Sequence, residues 1–259
     1  MGTPRNGKQV SLLTSAAAKR ESPRLHSERT PRRSIRAGAE QPSDFLLWQL
    51  ADSAFPTGGF AHSAGLEAAW QQGEVRNGGG LRDWLSASLQ QVAHVALPFV
   101  NAAHTEPGRL DEFDRLCDAF TSNHVANRAS RLQGRALLLA VERIFKSEIR
   151  NPRSEVERLP FTHLAPVFGA MTRRLNILHQ DAVRLFVFLH LRSAVAAAVR
   201  LNVVGPMEGQ VIQSQLCEQA EAVAGRSLAF TLDDLAQTAP LLEIWQSAQD
   251  RLYSRLFQS

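Results

Sequence analysis

The chain has 259 residues, of which 44% are hydrophobic, enough for one sizeable core, and a formal net charge of +4 at pH 7. That charge is unevenly placed. Residues 1–43 hold nine Lys/Arg and three Glu, for +6, whereas residues 44–259 hold 20 basic and 22 acidic residues, for −2. A folded nucleic-acid binder carries its positive stripe on the domain, so a basic leader in front of a mildly acidic body argues against that class.

Residues 1–43 mix Arg, Ser, Pro and Gly without an aromatic residue. Such a segment buries too little apolar surface to offset its ordering entropy, and the reading is a disordered basic leader. Val10 to Ala18 is interrupted by Ser and Thr and does not read as a signal peptide; three glutamates weaken a transit-peptide reading. The domain division is therefore 1–43 and 44–259.

From Phe45 onward the pattern is helical. A short helix over Phe45 to Ala51 breaks at Pro56, Gly58 and Gly59, and the next runs from Ala61 to Gln72. Leu81 to Ala103 reads as one long helix, with Leu81, Trp84, Leu85, Leu89, Val92 and Ala96 on one stripe. Helices follow over Leu110 to Phe120 and Ala126 to Ile149, then a polar loop from Asn151 to Pro160. Further helices are expected over Phe161 to Leu175, Asp181 to Leu201 and Glu208 to Ala224. Thr231 and Asp234 have capping-box spacing. Pro240 opens a last helix running to about Phe257. No stretch alternates at period two, so the fold class is all-α, a single-domain bundle of about ten helices.

Residues 182–201 are apolar enough to raise a membrane span, but Arg184, Arg192 and Arg200 interrupt them. A helix at the centre of the bundle explains the same pattern. Cys117 and Cys217 sit in largely apolar helical settings and read as reduced, buried thiols of a cytosolic protein.

Signatures of chemistry are few. No glycine-rich loop ends in Gly-Lys-Ser/Thr, and His-Glu-x-x-His and Cys-x-x-Cys are missing. His179 and His190 on one helix would stand roughly 16 Å apart, too far for one ion. Ala61 to Gly65 lies one residue from a Gly-x-Ser-x-Gly elbow, which would make Ser63 a nucleophile. That turn needs a strand leading in, and the preceding segment is helical; Ser63 also suits a helix start.

Two stretches stand out. In Asp52 to Glu67, Pro56, Thr57, Gly58, Gly59 and Phe60 specify an unusual backbone path, and His62 and Glu67 are placed to share a polar space. In Leu252 to Ser259, Tyr253, Leu256 and Phe257 put large apolar groups where chain ends usually fray. They must dock either on their own domain or in a partner's groove.

Together these stretches resemble the UreF family of urease accessory proteins. The resemblance runs from about Leu46 to Ser259, in five ordered blocks. These are Leu47 to Glu67; Asn127 to Ser130 with Gln133 to Ala136; Pro166 to Gly169; Ala198 to Leu201 with Gly205, Gly209 and Gln210; and Pro240 to Leu242 with Leu252 to Phe257. The Phe-Ala-His-Ser form at residues 60–63 is closer to plant-type members.

The resemblance implies an all-helical, cytoplasmic homodimer with no catalytic residues, no membrane span and no nucleic acid. It implies complexes with UreD (UreH), the GTPase UreG and apo-urease, with nickel as a transient passenger, not a stably bound cofactor. It assigns Tyr253, Arg255, Leu256 and Phe257 to contact with UreD. It gives Pro56 to Phe60, His62 and Glu67 a functional surface or polar interior, and Arg128, Gln133, Gly134, Arg200 and Gln210 the dimer core, the internal tunnel or UreG recruitment, without deciding between them. Glu243 retains an acidic position of the family, whereas Ala248 and Gln249 replace its usual Arg-His pair. The alternatives kept open are a serine hydrolase using Ser63, nucleic-acid binding by the leader and a helical interaction protein unrelated to urease.

Overall fold

The computed structural model describes residues 44–145 and 159–259, which are helical almost throughout and contain no strand among them. The basic leader, residues 146–149 of the helix expected over Ala126 to Ile149 and most of the polar loop lie outside the described residues. The α-helices are α1 (Asp44–Ala51), α2 (Leu66–Gln71), α3 (Gly78–Val95), α4 (Leu97–Thr105), α5 (Leu110–Phe120) and α6 (His124–Ile144). They continue with α7 (Leu164–Arg174), α8 (His179–Arg200), α9 (Pro206–Gln215), α10 (Cys217–Ser227) and α11 (Pro240–Ala248).

Helix starts follow local chemistry. The Asn77 carboxamide accepts from the Gly80 amide at 3.1 Å to cap α3, and Asn123 accepts from Val125 and Ala126 to cap α6. Pro206 and Pro240 occupy first turns, where no amide is missed. The long helix expected over Leu81 to Ala103 is two helices. Pro98 has no amide to donate and crowds the preceding turn, so Ala96 leaves helical geometry (φ −122°) and the chain bends between α3 and α4. The helix expected over Glu208 to Ala224 likewise divides at Leu216 into α9 and α10.

Helix α8 is long and apolar enough to cross a membrane by composition, yet it packs against α1, α2, α3, α4, α7, α9 and α10. Its apolar character on most sides thus matches a central position in the bundle. Helix α7 lies between α4 and α6, and glycine sits at both contacts. A Cβ at Gly134 of α6 would overlap the Thr162 carbonyl, and one at Gly169 of α7 would overlap the Val100 carbonyl of α4. Ahead of α7, Asp114 of α5 is fully buried and accepts from the amides of Phe161 (2.9 Å), Thr162 (2.9 Å) and His163 (2.7 Å). Those bonds hold Thr162 at φ 64°, a left-handed conformation rare for a β-branched residue.

Cys117 is buried, as expected, whereas Cys217 is exposed at the first turn of α10. The neighbouring Leu216 is buried, about 100° away around the helix axis.

Substituting Gly134→Ala forces α6 away from the backbone leading into α7, and is expected to lower stability by about 3 kcal/mol, the upper range for overpacking. Thermal unfolding followed by circular dichroism measures it; an unchanged midpoint would contradict the close approach.

Candidate functional site

The loop from Asp52 to Gly65 is built from turns. The Asp52 carboxylate accepts from the Ala54 amide at 2.8 Å, and Phe55 is buried beneath it. Gly58 (φ 74°), Ala64 (φ 54°) and Gly65 (φ 89°) take left-handed conformations. A helix beginning at Ala61 is therefore not formed; a single 3-10 turn covers Gly59–Ala61, and α2 starts only at Leu66. At Gly65 a Cβ would stand 2.7 Å from the Gln246 amide nitrogen, so the start of α2 rests directly on α11.

Glu67 lies in the first turn of α2 and is 1% exposed. Its carboxylate accepts from the Leu256 amide (2.6 Å), the Phe257 amide (3.1 Å) and the Gln249 carboxamide (2.6 Å). These partners explain why the last helix stops at Ala248 instead of reaching Phe257. After a 3-10 turn over Gln249–Arg251, tail amides bond outward to Glu67 and to the loop rather than to their own turn. The Gln258 amide donates to the Ala61 carbonyl (2.8 Å), and the Ser63 amide to the Ser259 carbonyl (2.5 Å). His62 Nδ1 is 2.5 Å from Ser259 Oγ.

The tail is sealed on its far side by Arg200 of α8. Its guanidinium lies 3.6 Å from the centroid of the Phe60 ring and 4.3 Å from that of Phe257, and it donates to the Phe60 carbonyl. Beside it, Asp250 receives a two-pronged bond from Arg128 (2.8 and 3.1 Å) and a bond from Arg255 (2.9 Å), with His124 3.3 Å away. The Arg128 bonds, more than any other influence, hold the Asp250 carboxyl below the usual range.

Inside the bundle, the same loop faces a cavity of about 290 Å³. Thr57, Gly59, His62 and Ser63 line it from the loop, and Gln133 from α6. Small residues of the facing helices, among them Ala126, Ala129, Ala165 and Ala194, leave the space. Ser88 Oγ lies 2.7 Å from His190 Nε2, and Gln91 donates to Glu243 at 3.2 Å. Burial pushes His190 down to about 4 and the Cys117 thiol up to about 12; His62 is lowered by burial and then by Arg128. The imidazoles are thus neutral at neutral pH, able to offer lone pairs or hydrogen bonds singly. Among the described residues, no three His, Cys, Asp or Glu are grouped to hold a metal ion.

The structure therefore sorts the sequence candidates onto two sides of one loop. Thr57, Gly59, His62 and Gln133 face the cavity, whereas Phe60, Glu67 and Arg200 hold the tail, and Arg128 reaches it through Asp250. Pro56 and Gly58 are exposed on the loop's outer surface. Gly134 sits at the α6–α7 crossing, away from the tail and next to the cavity-lining Gln133 and Leu164, and Gln210 stands on the exposed face of α9. Of the four tail residues, Tyr253 is fully exposed, Leu256 is half exposed and Arg255 is on the surface. Phe257 is only 3% exposed and packs in this chain's own core. Ser63 is 1% exposed and its Oγ accepts from the Glu67 amide at 3.4 Å, which is a helix-start role, not that of a presented nucleophile. Gln249 is buried and bonds to Glu67 and to the Phe257 carbonyl, so the replacement of histidine there bears on the tail's seat inside the chain. Asp250 and Ser88 were not singled out by sequence, and His190 was weighed only as a metal ligand with His179. Their main partners are distant along the chain, and no local pattern marks them.

A sequence profile of the UreF family matches residues 75–217. The urease accessory protein F of Oryza sativa subsp. indica is 35% identical over 228 residues, covering 85% of this chain and 87% of that protein. That of Arabidopsis thaliana is 36% identical over 219 residues, covering 82% and 91%. The urease accessory protein UreF of Mesorhizobium japonicum is 32% identical over 228 residues, covering 85% and 99%.

Two outcomes follow from the site. Glu67→Ala leaves three donors without their acceptor in a buried place and is expected to cost about 3 kcal/mol, read by denaturant unfolding. For His190, the unfolded chain takes up a proton near pH 6.5 and the native chain only near 4. Between these values the unfolded state binds more protons, so stability falls on acidification, with a slope approaching about 1.4 kcal/mol per pH unit. His190→Gln is expected to flatten that slope; an equally steep slope in the variant would place the sensitivity elsewhere.

Proposed function

This chain belongs to the UreF family of urease accessory proteins, and we propose that it acts as a non-catalytic scaffold in assembly of the urease nickel centre. In this reading it binds UreD (UreH) through its carboxyl-terminal region, recruits the GTPase UreG and presents both to apo-urease, as a cytoplasmic homodimer. Nickel is cargo in this scheme and is not retained.

The observation that carries the reading is the docked tail. Holding Phe257 inside leaves Tyr253 and Leu256 projecting, beside α11 whose Leu241 and Ile244 are 66% and 56% exposed. Anchored apolar side chains of this kind suit a partner groove, because their backbone is ordered before binding and little entropy is lost on association. Asp250, with Arg128, Arg255 and His124 around it, gives the same surface a charged rim. The cavity supports the cargo role: its neutral imidazoles and Glu243 offer ligands one or two at a time, which suits passage better than retention.

The test is urease activation in cells lacking the protein, with wild-type or variant chains returned. Wild type is expected to restore activity. The double variant Tyr253→Ala, Leu256→Ala is expected to lose at least tenfold of it and to lose UreD co-purification, while keeping its helical spectrum. Full activation by that variant would remove the tail surface from the mechanism.

A further inference from the structure

Between Asp118 and Glu142 the sequence has no Asp or Glu, yet it holds Arg128, Arg131 and Arg135. At 3.6 residues per turn, His124, Arg128, Arg131, Leu132 and Arg135 fall within an arc of about 100° on α6. All five are exposed, Leu132 by 49%, whereas the inward face buries Val125, Ala129, Leu137 and Val141. Arg128 to Arg135 spans about 10 Å along the helix axis. Other surface arginines are balanced: Arg109, Arg115 and Arg184 each stand within 3.1 Å of a carboxylate. The α6 face is not. Arg128 shares Asp250 with Arg255, and Arg131 lies over the Phe161 ring, 5.2 Å from its centroid. Arg135 makes no hydrogen bond or ion pair among the described residues. Asp118, whose carboxyl feels Arg131, is already taken by Asn127 and His163. Four exposed guanidiniums, of Arg128, Arg131, Arg135 and Arg255, are thus left with Asp250 alone among them.

We propose that this face of α6 docks a protein that presents carboxylates around an apolar contact, and that this protein is the partner that receives the tail. The proposal rests on the reading that Tyr253 and Leu256 dock UreD, and it extends that interface across α6. Asp250 joins the two surfaces, since Arg128 of α6 and Arg255 of the tail both bond to it. Asn123 at the start of α6 also bonds to Glu243 of α11, which carries the exposed Ile244. Guanidinium groups suit carboxylates because their donors pair with both oxygens at once. A protein fits better than a nucleic acid here. Leu132 stands exposed among the arginines and needs an apolar counterpart. Residues 44–259 carry a net −2, so the body lacks the broad positive field that phosphate backbones reward.

The tagged full-length chain is co-expressed with UreD, and the UreD retained on it is measured at about 0.05 M and about 0.5 M salt. Wild type is expected to hold UreD at the lower salt and to lose at least threefold of it at the higher. Arg135→Glu breaks no contact of its own chain, so its helical spectrum and melting temperature are expected to stay as in wild type. It is expected to lower retained UreD at least threefold at the lower salt, and the double variant Arg131→Glu, Arg135→Glu at least tenfold. Arg135→Lys keeps the charge and is expected to retain most of the UreD. Should the double variant not fold, Arg135→Glu decides alone. Full retention by Arg135→Glu, with UreD lost from Tyr253→Ala, Leu256→Ala, overturns this proposal and leaves the tail reading standing. Full retention by both overturns the two together. Undiminished UreD with loss of binding to a mixed-sequence RNA would assign the face to nucleic acid and also overturn the proposal.

Discussion

A carboxylate buried in the first turn of α2 organises the carboxyl end of this chain. Glu67 takes two backbone amides and a carboxamide from the tail, all within 3.1 Å, in a place from which water is excluded. A buried anion is costly unless its oxygens are satisfied. The satisfaction here comes from a segment roughly 190 positions away in sequence, so the charge and the tail hold each other. Asp114 applies the same chemistry elsewhere: fully buried, it collects the amides of Phe161, Thr162 and His163 and fixes the loop leading into α7. Irregular backbone with no helical partner is ordered twice by a carboxylate set inside the bundle.

This arrangement joins two features that have little else in common. The exterior presents Tyr253, Leu256 and the Asp250 rim, and the interior holds a cavity lined by small and polar side chains. Between them runs one loop with left-handed residues at Gly58, Ala64 and Gly65. The remainder of the bundle is close-packed, with glycine at the α4–α7 and α6–α7 crossings, and forms a stiff frame for this corner.

The sequence made the helical class plain because apolar spacing near 3.6 is repeated over long stretches, as along Leu81 to Val92. What periodicity conceals is a break that leaves the apolar stripe in register. Pro98 interrupts the backbone between α3 and α4, yet Leu97, Phe99 and Val100 continue the burial on the other side. The tail misled for a related reason. Leu252 to Phe257 has helical spacing, but Glu67 offers its amides a better acceptor than their own turn would, and no local pattern records a partner so far away. The functional residues were partly legible: His62 and Glu67 stood out beside an unusual turn and Arg128 and Arg200 by resemblance, and their division between cavity and tail came only from the fold. Gln249 showed itself as a departure from the family pattern, and its bond to Glu67 gives that departure an interior meaning.

The central claim is that the tail is seated on Glu67 in the free chain. Residue-resolved hydrogen exchange at the Leu256 and Phe257 amides reads it directly. Protection of at least a hundredfold over the unstructured rate at both amides, with Tyr253 exchanging freely, is the result the account predicts. Exchange of Leu256 and Phe257 at the unstructured rate would contradict it.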